Sequence, residues 1–372
     1  MDNTKYLFLF LFFLGVSSTG HSQILKKHRD TIDGAIDLSR FLGELHGVLP
    51  ILSPITEPAV GYGLAAAGLY FITKETNENL TFQKPDIVGV AGGYTENGTW
   101  FVGGGYSGYW KNDRIRYRGL LAYADVNLTY YSQLFPDKSR EFNLSSYFFL
   151  QQALFRIKES DFFIGGKYQL SKINIDFLLN PEFPDVNITD FDLWNSGVSL
   201  IGEFENYDNI FSPTKGLKVH ISYDQNLELL GSDKNWGTLN FYSLYYYPVS
   251  EFWVPGLRIA SRFATGETPF YAKPYIELRG VPALRYQGDL TALIETEQLF
   301  NINYRWGLVA FGGIGNTFNE KNNYQAEELV WNAGGGFRYM LARIFGLKMG
   351  LDVARGPEDW AVYVVFGSSW LK

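Results

Sequence analysis

The feature that most limits how this chain can fold is a repeated pattern of short alternating segments separated by turn residues. Leu257, Ile259 and Phe263 share one face of such a segment, whereas Arg258 and Arg262 share the other. A period of two is typical of a β-strand whose two faces lie in different environments. Sixteen such segments run near residues 48–53, 60–73, 86–95, 99–111, 114–130, 141–157, 162–177, 193–207, 216–226, 236–249, 253–265, 290–303, 306–318, 329–341, 344–354 and 360–370.

The composition narrows the class of protein further. Aromatic residues make up 17% of the chain, glycine contributes 39 residues, and only 19% of the residues are charged. These values suit a sheet protein with many tight turns and an interfacial aromatic belt. The net charge of −7 argues against a nucleic-acid partner, which would need a basic face. Because the chain has no cysteine and no histidine cluster with metal-ligand spacing, we expect no disulfide, no metal and no cofactor.

Residues 1–22 have the features of a secretory signal peptide. Lys5 precedes the apolar run 6–16, and Gly20 and Ser22 occupy the −3 and −1 positions of a cut before Gln23. The alternative is a short N-terminal anchor. No later stretch reaches about 18 consecutive apolar residues. We therefore expect an exported protein without a spanning helix, for which a membrane β-barrel remains open.

The segment 23–46 differs from the rest of the chain. Its apolar residues recur at roughly helical spacing with aspartate and glutamate between them. This predicts a short amphipathic helix on the periplasmic side, or a plug, and the alternative is a poorly ordered tail.

The barrel is expected to occupy residues 47–372. An even number of strands brings both termini to one side, and short periplasmic turns then alternate with longer outer loops. A charge that faces lipid at mid-depth costs about 2–4 kcal/mol, so the charged faces should line the lumen. A soluble antiparallel sandwich would also alternate, but sixteen strands with a signal peptide and this aromatic content favour an all-β, antiparallel transmembrane barrel.

One connection is far longer than the others and lies between the eleventh and twelfth strands. The run 266–288 contains Arg279-Gly280 and is stiffened by Pro269, Pro274 and Pro282. A loop of this length in a compact domain is either functional or disordered, and the prolines argue against disorder. We expect it to fold into the barrel and to place Arg279 on an acidic side chain of the lumen.

Three motifs in order resemble the bacterial surface antigen family, which includes the barrels of BamA- and TamA-type outer-membrane assembly factors and of two-partner secretion transporters. They are the strand-turn Tyr207-Asp208-Asn209 with Ser212-Pro213-Thr214-Lys215-Gly216, the loop Leu278-Arg279-Gly280-Val281 with Arg285-Tyr286-Gln287-Gly288-Asp289, and the hairpin Gly334–Tyr339 with Gly346–Ala354.

The resemblance implies a sixteen-stranded barrel whose sixth outer loop folds into the lumen, where the loop arginine contacts acids on the next strands. Glu297 matches the family's strand glutamate, and Glu295 points the same way. Gly313 stands where the family often has an aspartate, so we expect a smaller network. We expect the chain to lack the family's soluble POTRA modules, which recruit client polypeptide. In this interpretation Asp208, Asn209, Pro213 and Gly216 form the family's turn.

The resemblance favours an outer-membrane transporter or assembly factor of a Gram-negative bacterium, acting on polypeptide or lipid and gated by the Arg279 loop. Its expected partners are outer-membrane lipids, a client, and other outer-membrane or periplasmic proteins. The alternative is a passive or structural barrel within a larger complex. We expect no enzymatic activity, although His220 with Ser222 and Asp224 leaves a hydrolase as a third interpretation. The first strand is short and flanked by Pro50, Pro54 and Pro58, which predicts a weak closing seam, whether or not it opens.

Overall fold

The computed structural model describes residues 29–30, 32–39, 48–57, 59–72, 84–131, 139–177 and 191–370. The predicted signal peptide and most of the segment 23–46 lie outside these residues. Among the residues described, no helix is both long enough and apolar enough to cross a membrane.

The described chain is an all-β barrel in which each of sixteen strands pairs antiparallel with the next. This confirms the predicted fold. The strands are β1 Val48–Ile55, β2 Gly63–Ile72, β3 Asp86–Thr95, β4 Trp100–Trp110, β5 Ile115–Tyr131, β6 Ser139–Arg156, β7 Phe162–Phe177, β8 Phe191–Glu205, β9 Gly216–Asn226, β10 Trp236–Tyr246, β11 Trp253–Gly266, β12 Leu290–Asn301, β13 Trp306–Phe318, β14 Val330–Ala342, β15 Leu347–Arg355 and β16 Trp360–Phe366.

Two strand boundaries near the C-terminus differ from the prediction because of glycines with positive φ. Gly346 has φ +61° and closes the turn before β15, which therefore begins at Leu347 and not near residue 344. Gly367 has φ +79° and ends β16 at Phe366, four residues earlier than the alternation predicts. The last described residues leave the sheet at this point and are free to turn into the barrel.

Alternation separates the two faces of the sheet as expected. Leu121 on β5 and Ile259 on β11 point outward and are 63% and 41% exposed. The charged residues lie on the opposite face, where register pairs Arg258 of β11 with Glu295 of β12. Charged side chains thus line the lumen, and apolar side chains form the outer surface.

The N-terminal segment identifies one end of the barrel. Residues 29–30 and 32–39 contact the turns β12–β13 and β14–β15, for example through the hydrogen bond from the Leu38 amide to the Leu341 carbonyl (2.8 Å). We call this the periplasmic end, and we call the opposite end, which carries the loop after β11, the outer end. Residues 32–38 contain a turn, and an isolated β-bridge pairs Arg29 with Ile36. The helical spacing therefore does not produce a helix in residues 32–38.

Side-chain hydrogen bonds explain why residues 32–38 do not form a helix. The Asp30 and Asp33 carboxylates accept hydrogen bonds from the Ile32 and Ala35 amides, and Gly34 has φ +68°. Aspartate side chains that bond to nearby backbone amides stabilise turns at the expense of helix.

Candidate functional site: an arginine loop on a cluster of lumen acids

The loop between β11 and β12 returns into the barrel and has a small core of its own. Ile276, Leu278 and Val281 are buried against Leu293 of β12 and Val330 of β14. The Ile276 amide donates a hydrogen bond to the Tyr286 carbonyl (3.0 Å), which closes the loop on itself. The apolar residues on both sides of Arg279 therefore fix its backbone on the lumen wall.

Arg279 reaches three carboxylates on two strands. Its Nη1 lies 2.9 Å from Glu297 Oε2 and 2.8 Å from Asp352 Oδ2, and its Nη2 lies 3.1 Å from Glu295 Oε1. The guanidinium also lies over the Phe311 ring, 3.4 Å from the ring centroid. We call Glu295, Glu297 and Asp352 the acid cluster. A planar fork of donors suits such a cluster better than the single ammonium of a lysine.

Strand register brings the acid cluster together. Glu295 and Glu297 are two residues apart on β12 and both face the lumen, where they pair with Gly313 and Phe311 of β13. A Cβ atom on Gly313 would lie 3.0 Å from Asn332 Oδ1 and 3.0 Å from Glu295 Cβ, so a larger side chain would crowd the cluster. The lumen surface between β12 and β15 is therefore open enough for Asp352 to approach Arg279.

The prediction of a smaller network, based on Gly313, is wrong. Asp352 of β15 supplies a third carboxylate, is fully buried, and also binds Arg338, whose Nη2 lies 3.0 Å from Asp352 Oδ2. Sequence reasoning did not single out Asp352 or Arg338, although both lie in the hairpin that carried the family resemblance. An inward-facing aspartate next to an inward-facing arginine was the signal that could have found them.

The charges of the site are balanced. Arg258 Nη1 contacts Glu295 Oε2 at 3.1 Å, so three guanidiniums, those of Arg258, Arg279 and Arg338, face the three acids. Removal of one partner from such a buried set leaves an unpaired charge, at a cost of about 3–5 kcal/mol.

The chain end after β16 reaches the same acids from the periplasmic end. The Trp370 indole Nε1 donates a hydrogen bond to Glu295 Oε2 (2.6 Å), and the Ser369 hydroxyl donates one to Glu297 Oε2 (2.9 Å). Trp370 is 4% exposed and packs near Tyr246. The acid cluster therefore joins the outer loop to the C-terminal tail, residues 367–370.

Gly280 makes the close approach of the loop to the wall possible. Its φ is +79°, and a Cβ atom would lie 3.0 Å from the Gly356 amide nitrogen. Its amide donates a hydrogen bond to the Tyr363 hydroxyl of β16 (2.9 Å). Only glycine fits both the backbone conformation and the space.

The seam between β1 and β16 is closed by side chains. No backbone ladder joins these strands among the residues described. Just beyond β1, the Thr56 hydroxyl donates to the Val362 carbonyl (2.5 Å) and accepts from the Val362 amide (2.6 Å). The next residue, Glu57, accepts hydrogen bonds from the Ala283 amide of the loop (3.3 Å) and from the Tyr363 hydroxyl (3.4 Å). Burial raises the pKa of the Glu57 carboxyl above its usual range.

The predicted turn motif lies across the periplasmic mouth of the barrel. Asp208 accepts hydrogen bonds from the Thr214 and Lys215 amides (2.9 and 3.1 Å), and Asn209 donates from Nδ2 to the Phe345 carbonyl on the opposite wall (2.9 Å). Gly216 has φ +119° and packs on the Asn206 carbonyl. Pro213 lines a small cavity of about 30 Å³ next to Lys348.

His220 belongs to a second charge network of the lumen. Its Nδ1 lies 3.3 Å from Glu203 Oε2, and its ring stacks on Tyr242 with centroids 4.8 Å apart. Glu203 also binds Arg116 and Lys218, at 3.0 and 3.3 Å. The contacts with Glu203 and Tyr242 thus place His220 within the charge network of the lumen wall.

These features define the molecule as a sixteen-stranded transmembrane β-barrel with an outer loop folded into its lumen. Neither a protein-family model nor a curated protein matches the sequence.

Solved structures match at the level of the fold. BamA from Haemophilus ducreyi lacking POTRA domains 1–3 superposes with a TM-score of 0.58 and 12% identity, covering 94% of this chain and 82% of that one. CdiB from Acinetobacter baumannii superposes with a TM-score of 0.58 and 12% identity, covering 86% of this chain and 59% of that one. CdiB from Escherichia coli superposes with a TM-score of 0.58 and 10% identity, covering 85% of this chain and 61% of that one. The chain thus spans less than two thirds of either CdiB chain. The resemblance to surface antigen barrels is confirmed for the fold.

Proposed function

We propose that this protein is an outer-membrane barrel that transports or inserts polypeptide or lipid, and that the Arg279 loop is its gate. The fold shared with BamA and CdiB supports this function, as do the charged lumen and the apolar outer surface. Recruitment of a client would depend on a partner protein or on the segment 23–46.

The observation that carries the proposal is that one acid cluster holds two separate segments of the chain. The outer loop binds it through Arg279, and the tail that follows the seam strand β16 binds it through Trp370. Glu57 links the same loop to the same strand at the outer end. A movement of the seam strand β16 would therefore alter the contacts that anchor the Arg279 loop, which is the coupling that a gate requires.

The alternative is a passive or structural barrel in which the loop is a fixed plug. The balanced charges of the site favour this alternative, because no group of the cluster is left without a partner.

Conductance in planar bilayers separates the two functions. We expect the full-length wild-type protein to conduct weakly and Arg279→Gln to show larger, fluctuating conductance, because the loop loses its charged anchor. Arg285→Gln is the matched control, since Arg285 lies on the same loop but binds Glu358 at the rim (2.8 Å). A large, steady conductance of the wild type, unchanged in Arg279→Gln, would favour the passive barrel.

The client is tested in cells. Depletion of the protein, followed by proteomic and lipid analysis of the outer membrane, should lower the abundance of particular outer-membrane proteins or lipids. Arg279→Gln should fail to restore them, whereas Arg285→Gln should succeed. An outer membrane of unchanged composition after depletion contradicts a transport or assembly function.

A further inference from the structure

The lumen wall has an apolar part that the Arg279 site does not use. Ile87 and Gly89 of β3, Gly105 of β4, Leu120 of β5 and Leu150 of β6 line a cavity of about 380 Å³ that opens onto the lumen. We call it the apolar groove. Register pairs Gly89 with Gly105, Gly105 with Leu120, and Leu120 with Leu150, so these residues form one continuous row across four strands.

The glycines give the groove its depth, and Leu120 gives it an unburied apolar wall. Gly89 and Gly105 present only backbone to the lumen, while Leu120 faces inward and is 38% exposed. An apolar side chain that faces a water-filled lumen loses about 25 cal/mol for every Å² left exposed. A hydrocarbon chain laid in the groove would recover part of this free energy.

A charged cavity lies beside the groove. It measures about 240 Å³ and is lined by Arg118, Lys167, Arg258 and Arg262, by His220, and by two carboxylates, Asp224 and Glu277. With Glu295, which already binds Arg258 (3.1 Å), four permanent cations face three acids, in a protein whose net charge is −7. The local excess of positive charge favours an anion.

Arg118 lines both cavities, so the apolar and the cationic surfaces meet at its side chain. A guanidinium carries five N–H donors and can bind an anion while it keeps a partner in the wall. We propose that the lumen binds a single-chain anionic amphiphile, with its hydrocarbon chain in the apolar groove and its acidic head group at Arg118. A fatty acid and a lysophospholipid with a phosphate monoester share this chemistry. The charged cavity includes Glu277 of the Arg279 loop, but the proposed ligand contacts, Arg118 and the apolar groove, lie on β3–β6. The site goes beyond the function proposed above.

The test is displacement of dansyl-labelled undecanoic acid from the full-length barrel in lipid nanodiscs, with empty nanodiscs as the blank. Palmitic acid, palmitoyl lysophosphatidic acid and hexadecanol are the competitors. We expect both acids to displace the probe and the alcohol of the same chain length to compete at least about tenfold more weakly, as loss of a charge-assisted hydrogen bond predicts. The ratio between the two acids distinguishes a carboxylate from a phosphate ligand.

Two substitutions divide the site into its parts. Arg118→Gln should lower the affinity for both acids about tenfold and leave the affinity for hexadecanol unchanged. Arg118→Lys should restore part of the lost affinity. Leu120→Asp should weaken all three. The matched control is Ser146→Asp, which adds the same charge to the inward face of β6, four residues and about 13 Å from Leu150. Heat-modifiable mobility on gels verifies that each variant is folded.

Three outcomes of the displacement experiment would overturn the proposal. Competition by hexadecanol as strong as that by palmitic acid would show that no anion site exists. An equal loss of affinity in Leu120→Asp and Ser146→Asp would show that the hydrocarbon chain does not bind in the apolar groove. Displacement by a soluble apolar peptide as strong as that by palmitic acid would show that the groove takes polypeptide instead.

Discussion

Among single residues, Asp352 carries more of the lumen site than Glu297, the glutamate that the family resemblance indicated. It is fully buried and binds two guanidiniums, those of Arg279 and Arg338, whereas Glu297 lies at the edge of the cluster with 11% of its side chain exposed. The three acids are therefore not equivalent, although all three contact Arg279.

We expect Asp352→Asn to destabilise the barrel by about 3 kcal/mol, because it leaves two buried guanidiniums with one charged partner fewer. Glu297→Gln should have a smaller effect, because Arg279 keeps Glu295 and Asp352. Urea unfolding in detergent, followed by tryptophan fluorescence, measures both. Glu358→Gln, at the rim, should change little and serves as the control. Equal losses for Asp352→Asn and Glu297→Gln would contradict the ranking.

Glu57 predicts a pH dependence at the outer end of the seam. Burial raises the pKa of its carboxyl, so the buried position of the Glu57 side chain is most stable when the carboxyl is protonated. This stability is lost as pH rises through the raised pKa, because a charge then has to be kept in the buried site. Glu57→Gln keeps an oxygen acceptor without the charge and should remove the dependence.

Maleimide labelling of Ala283→Cys, in a chain that otherwise has no cysteine, measures the exposure of the loop. Maleimide reacts with the thiolate, so the labelling rate rises with pH in both proteins. The ratio of the rate with Glu57 to the rate with Glu57→Gln should therefore rise as pH increases above the ordinary glutamate pKa, about 4.3. A ratio that does not change with pH would contradict the role of Glu57.

At the scale of whole elements, the N-terminal segment is held by charge. Arg305, in the turn before β13, binds Asp33 (2.6 Å), Asp37 (2.7 Å) and Asp30, and the Tyr339 hydroxyl donates to the Ile36 carbonyl (2.7 Å). Ile32 and Ile36 remain 68% and 49% exposed. Ion pairs therefore dock Asp30, Asp33 and Asp37, and the apolar contact of the segment is made by Leu38, which packs against the buried cluster that includes Leu341.

This docking should fail in acid. The hydrogen bond from Arg305, with the Ala35 amide, lowers the pKa of Asp33. A lowered folded-state pKa gives a contact that is present above the ordinary aspartate value, about 3.9, and is lost as pH falls through the lowered one. The anisotropy of a fluorophore on Ala35→Cys should drop below about pH 4, and Arg305→Gln should show the low value already at pH 7. If the anisotropy of Arg305→Gln at pH 7 equals that of the parent, Arg305 does not hold the N-terminal segment.

The elements also show how much of the structure the sequence could predict. Strand alternation predicted sixteen strands, and strand parity placed the long loop at the outer end, because both are local patterns repeated along the chain. Asp352 is different: its contact with Arg279 spans 73 positions and depends on the register of four strands. The end of β16 depends on Gly367, whose positive φ turns Trp370 into the lumen, and no alternation pattern reports that.

At the scale of the whole molecule, the barrel is closed by contacts that meet at one place. The loop enters from the outer end, the C-terminal tail enters from the periplasmic end, and both bind the acids of β12. The turn 208–215 contacts the wall opposite its own strands. Because these segments share partners, their free energies should not be independent.

A double-mutant cycle tests this coupling. Trp370→Phe keeps an aromatic ring but removes the N–H that binds Glu295 Oε2, and Arg279→Gln removes the charge that binds Glu295 Oε1. Since both groups act on one carboxylate, we expect an interaction free energy of about 0.5–3 kcal/mol in urea unfolding. Trp370→Phe combined with Arg285→Gln, which lies on the same loop but at the rim, should be additive within about 0.5 kcal/mol. Additivity in both cycles would mean that loop and tail bind the wall independently. A seam that moves β16 would then have no route to the loop through Glu295.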